Sequence, residues 1–103
     1  MAKSKKELNV NEYIEKTIKL VNIYVDENLS CVNGWEALGE DQIAHIKDVA
    51  KSIVLTRDNI MTGGGFVCAF IENDLAKVID RADTICERSL KLFLLVKNNV
   101  KNI

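Results

Sequence analysis

From Val10 to Asn28 the apolar positions Val10, Ile14, Ile18, Val21, Tyr24 and Val25 recur every three or four residues, with Thr17 in the same row. That period is one face of a helix. Tyr13, Leu20 and Ile23 widen the stripe beyond the roughly 100° of a helix with one buried face, so more than one neighbour is expected. Asn9 and Glu12 have capping-box spacing, and Asn11 is a competing cap. Residues 29–39 break the pattern. They hold the turn-formers Asn33-Gly34, and Trp35 and Leu38 are expected to plug the connection into the core as one helical turn. A second helix begins after Gly39, with Glu40 and Asp41 in the first turn, where the helix dipole favours them, and runs to about Ile60. Its positions Ile43, Ile46, Ala50, Ile53 and Ile60 alternate by three and four, with Arg57 on the same seam, which suits a bundle core or a dimer interface.

Met61-Thr-Gly-Gly-Gly-Phe66 then makes the main break in the second half. Phe66, Val67, Ala69, Phe70 and Ile71 start another helix. Asn73 suits its left-handed end, and Asp74 is a natural N-cap for a short piece from Leu75 to Ala82. Asp83 or Thr84 can cap again, and Ile85, Leu90, Phe93, Val96 and Val100 line one face of a single last helix. No segment alternates cleanly as a strand. The fold class is therefore all-α: a small helical bundle of about four to five helices, with a Gly-rich turn before a segmented C-terminal helical hairpin. Residues 1–103 form one domain, and residues 1–8 are expected to be a disordered tail.

Composition narrows the function. The chain has 48% hydrophobic and 28% charged residues and no proline, as a folded helical domain would. A net charge of −1 and a pI near 5.8 argue against general nucleic-acid binding, which neutralises many phosphates at once. The charge is polarised. Between Val21 and Asp48 six acidic residues face the single base Lys47, whereas Arg88, Lys91, Lys97 and Lys101 outweigh Glu87 after Thr84. Such poles can steer association. Cys31, Cys68 and Cys86 form no C-x-x-C pair, which excludes a disulfide framework. With no apolar leader and no membrane-length apolar run, a cytoplasmic protein is expected.

For catalysis the sequence offers only His45, with Asp41 and Asp48 near it on its own helix and no nucleophile at hand; a solvent-facing histidine is the plainer reading. No metal is expected, because one histidine and scattered cysteines need distant convergence to make a ligand set. The strongest candidate site is the loop Thr62, Gly63, Gly64 and Gly65, with Arg57 and Arg81 as cations. It is neither a P-loop nor a dinucleotide turn, since Phe66 follows the last glycine. Its bare amides could hold one anion, with Gly64 at positive φ; alternatively the glycines only let two helices pack antiparallel.

Gly65-Phe66-Val67, Ala69, Asn73-Asp74-Leu75 and Arg81-Ala82-Asp83 resemble a pattern in small uncharacterised proteins of bacteriophages and prophages, over residues 60–96. Cys68 and Cys86 stand where those proteins tend to carry polar residues. The resemblance implies a phage-type origin and a small accessory protein, often one acting on host defence. Taken with the residues, it gives the expectation of a non-enzymatic, cofactor-free homo-oligomer in the host cytoplasm that sequesters a small anion such as a nucleotide signal. The alternative is a module that inhibits a host protein through its acidic half.

Overall fold

The computed structural model describes residues 10–101, so the expected tail at 1–8 and the Asn9 cap lie outside the described residues. Six α-helices make up the described chain: α1 (Val10–Glu27), α2 (Glu40–Arg57), α3 (Gly65–Ile71), α4 (Leu75–Arg81), α5 (Thr84–Arg88) and α6 (Leu90–Asn99). Two 3₁₀ turns, Leu29–Cys31 and Trp35–Ala37, carry the chain from α1 to α2. The all-α bundle is thus the observed architecture. Asn11 lies inside α1 rather than capping it.

Helix α2 is the central element, packed against α1, α3, α5 and α6. Its seam Ile46, Ala50 and Ile53 is fully buried, against Val21 and Val25 of α1 and Phe93 and Val96 of α6 in one core. Phe93 sits beside Phe66 and Phe70 of α3, with ring centroids 5.9 and 6.4 Å away, close enough for favourable edge-to-face contact. The α2 seam, which by pattern suited either a bundle core or a dimer interface, is thus covered within one chain.

Both Asn-containing corners close in the same way. At the end of α2, Asn59 takes φ 62°, and the amides of Asn59 and Ile60 return to the carbonyls of Thr56 and Leu55. After α3, Asn73 takes φ 61°, and the amides of Asn73 and Asp74 return to Phe70 and Ala69. This left-handed end satisfies carbonyls that a helix terminus leaves open, and it stops α2 at Arg57, short of the expected Ile60. Asp74 caps α4 by accepting the Lys77 amide, and Asp83 caps α5 by accepting the Cys86 amide at 2.7 Å.

Two expectations need correction. Trp35 does not plug the connection: it sits in its 3₁₀ turn 44% exposed, while Val32, fully buried, enters the core and Leu38 packs on it. Arg88 fastens the turn as well: its Nε and Nη2 donate to the carbonyls of Asn33 and Gly34. The last helix is also not continuous. Buried Ser89 donates its hydroxyl to the Ile85 carbonyl at 2.7 Å, and its amide bonds the Cys86 carbonyl, so the chain tightens and breaks between α5 and α6.

Candidate functional site

The glycine loop is built from both sides. Thr56 Oγ1 in the last turn of α2 accepts the Gly63 amide at 3.0 Å, and the Cys68 thiol in α3 donates to the Gly63 carbonyl at 3.3 Å. A Cβ on Gly63 would lie 2.7 Å from Val67 Cγ1, so close approach requires glycine there. Gly64 differs from expectation: its φ is −73° and nothing stands within 4 Å of a Cβ placed on it, so neither backbone strain nor crowding demands glycine. Thr62 is exposed.

Of the two expected cations, the structure brings one to the loop. Arg81, from the last turn of α4, lays its guanidinium on Gly65, where an added Cβ would meet Nη1 at 2.6 Å. Among the described residues Arg81 forms no hydrogen bond or ion pair. Arg57 is engaged elsewhere. Its Nε and Nη2 hold the two oxygens of Asp58 at 2.8 and 3.0 Å, and Nη1 donates to the Lys97 carbonyl at 2.7 Å. Tyr13 of α1 donates its hydroxyl to Asp58 Oδ2 at 2.6 Å, so the cluster ties α1, α2 and α6 together. The bond from Arg57 holds the Asp58 carboxyl below its usual range, against the opposing effect of burial, and Tyr13 is pushed up by burial and by Asp58. Arg57 is thus a structural clasp, and its place on the apolar seam of α2 gave no sign of that.

A second feature is an open apolar groove of about 380 Å³ between α4 and α6. Phe70 of α3, Leu75 and Val78 of α4, and Leu90 and Leu94 of α6 line it, with Lys91 and Asn73 on its rim. Leu75 is 69% exposed, and Ile79 and Leu94 are about half exposed. Two large apolar side chains, Leu75 and Leu94, are left to water on facing sides of this concave surface, which marks it as a contact face. The sequence carried the signal: on the short α4, Leu75 and Ile79 lie four residues apart, on one face, while Val78 alone is buried.

A third arrangement was not legible. His45 does not pair with Asp41 or Asp48 of its own helix; Asp48 pairs with Lys51 at 3.0 Å. Its Nε2 lies 2.8 Å from Oδ2 of Asp83, which is 38 residues away, and 4.0 Å from Sγ of Cys86. Burial pushes the Asp83 carboxyl up, but the amide of Cys86 and the imidazole of His45 outweigh it and hold the group below its usual range. Burial, reinforced by Asp83, pushes the Cys86 thiol up to about 12. A Cys-His-Asp hydrolytic relay needs the carboxylate on one ring nitrogen and the thiol on the other. Here both partners meet the same nitrogen, and the thiol is held protonated.

No helix among the described residues is long and apolar enough to cross a membrane. Compared with known proteins, the chain matches no protein-family model, no curated protein and no solved structure.

Proposed function

We propose that this chain is a non-enzymatic binding protein that works as a homo-oligomer, joined through the α4–α6 groove. The observation that carries the reading is the exposure of Leu75 and Leu94 around one concave apolar surface. The occupant is a second copy. A two-fold contact sets a surface against itself, so apolar stripe meets apolar stripe. Lys91, on the α6 side, is exposed at the rim. A net charge of −1 leaves little repulsion between copies. The non-catalytic reading is supported by the single-nitrogen geometry at His45 and by the burial of the thiol beside it. Light scattering of the wild-type chain and of Leu94→Glu tests the proposal. The wild type gives twice the chain mass at micromolar concentration and Leu94→Glu the monomer mass with unchanged circular dichroism. A wild-type monomer, or a dimer that survives Leu94→Glu, overturns it.

A second reading is favoured by one contact, that of the unpaired Arg81 guanidinium with Gly65. It keeps the small anion as ligand, held by Arg81 beside the side-chain-free loop. Titration with inorganic phosphate, followed by amide NMR, should then move Gly64, Gly65 and Phe66, and Arg81→Gln should abolish the shifts. If those amides stay still in the wild type, the loop is only a turn.

A further inference from the structure

We propose that His45, Asp83 and Cys86 form a binding site for a zinc-type divalent metal ion, with solvent supplying the fourth ligand. One imidazole nitrogen, one carboxylate oxygen and one sulfur, from α2 and from the start of α5, all lie within 4.8 Å of one another. Zinc held at roughly 2.0–2.1 Å from nitrogen, 2.0–2.2 Å from oxygen and 2.3 Å from sulfur in a tetrahedron spaces its donors about 3.2–3.7 Å apart. The observed separations of 2.8 Å (Nε2 to Oδ2) and 4.0 Å (Sγ to Nε2) straddle that range, so side-chain rotations suffice to close the shell.

The feature that spoils a hydrolytic relay is the one a cation requires: the donors turn toward a common point. The set is also pre-positioned. Asp83 is the N-cap of α5, and its Oδ1 is fixed by the Cys86 amide at 2.7 Å, which leaves Oδ2 facing His45. The three-residue spacing from cap to Cys86 puts carboxylate and thiol on the same side of that first turn. His45 stands on the 18-residue α2, the central helix of the bundle.

Access and charge fit as well. The side chains of His45 and Asp83 are 44% and 56% exposed, while Cys86 lies beneath them at 3%, so the ion enters from solvent and keeps its open position there. The ion takes the Nε2 lone pair of the neutral imidazole, whose proton sits on Nδ1, and displaces the thiol proton to solvent. The resulting thiolate and carboxylate balance the two positive charges of the ion. A sulfur and an imidazole select zinc, cobalt or copper over magnesium and calcium, which prefer all-oxygen shells.

The test is a Co²⁺ titration of the reduced full chain, read by absorption. The site predicts saturation at one equivalent, with a thiolate-to-cobalt charge-transfer band and the intense visible bands of a tetrahedral ion, displaced by Zn²⁺. Cys86→Ser should remove the charge-transfer band. His45→Ala, at an exposed position that does not threaten folding, should weaken binding by at least roughly tenfold, a loss that even outer-shell changes can produce. The double variant Cys31→Ser/Cys68→Ser should retain the full spectrum. Absence of the charge-transfer band in the wild type overturns the proposal, as does its loss in the double variant, or unchanged affinity in His45→Ala.

Discussion

Replacing Arg57 with alanine separates a structural clasp from a ligand-binding arginine. The guanidinium holds both oxygens of Asp58 and the Lys97 carbonyl, and each side chain of the Arg57–Asp58 pair is only 21% exposed. Hydrogen bonds to charged groups contribute about 1.5–3 kcal/mol where shielded, and exposed ion pairs about 0.2–1 kcal/mol. A partly shielded site lies between, and the Lys97 carbonyl near the end of α6 loses a donor as well. Arg57→Ala should therefore cost about 2 kcal/mol, or roughly 8–16 °C in melting temperature for a domain of this size. Urea unfolding in a phosphate-free buffer measures it without any ligand present. The pH dependence follows from the shifts. Because the Asp58 carboxyl is depressed in the folded state, its contribution is fully present above the ordinary carboxylate range, near about 4, and is lost as pH falls through the depressed value. The gap between wild type and Arg57→Ala should thus narrow in acid. Tyr13 is raised, so its bond to Asp58 persists through neutral pH and is lost as pH climbs past its ordinary value and through the raised one. A variant within about 0.5 kcal/mol of wild type at neutral pH, the usual range for a surface change, would refute the clasp. So would a gap that stays constant into acid.

Other positions give independent checks. Phe93, fully buried between two phenylalanine rings, should cost about 3–5 kcal/mol when cut to alanine, measured by urea unfolding. Gly34 sits at φ +74° with Arg88 Nη2 2.7 Å from a Cβ placed there, so Gly34→Ala should cost about 1–2 kcal/mol in the same assay, reduced in an Arg88→Ala background. Gly63→Ala should lower the melting temperature, whereas Gly64→Ala should leave it unchanged, because only the first would press a Cβ into the Val67 side chain. Asp83→Ala removes the cap of α5 and should cost about 1 kcal/mol, while Asp83→Asn keeps a capping oxygen and should lose much less.

The sequence made helices and corners readable because their causes are local. Apolar period, Gly39 before α2, Asn73 at a left-handed end, and Asp74 and Asp83 as caps all act within a turn or two, and the structure contains each of them. What local pattern could not carry was which long polar side chain reaches which distant partner. Arg57 looked free for a ligand but meets Asp58 and Lys97; Arg88 counted only as one charge of the basic end but fastens the Asn33–Gly34 turn. His45 was weighed against the acids of its own helix, and its partner comes from α5. Trp35 shows the opposite failure, a large apolar residue assumed buried yet left half in water. Of the expected anion site, the structure joins the loop to Arg81 alone.

The central claim, that the α4–α6 groove joins two copies, is tested most directly by methyl NMR over a dilution series of the wild-type chain. The account predicts concentration-dependent shifts confined to the methyls of Leu75, Val78, Ile79, Leu90 and Leu94, with those of Ile46 and Ile53 in the core unmoved. Spectra that do not change with concentration while the mass stays monomeric, or shifts centred away from the groove, would contradict it.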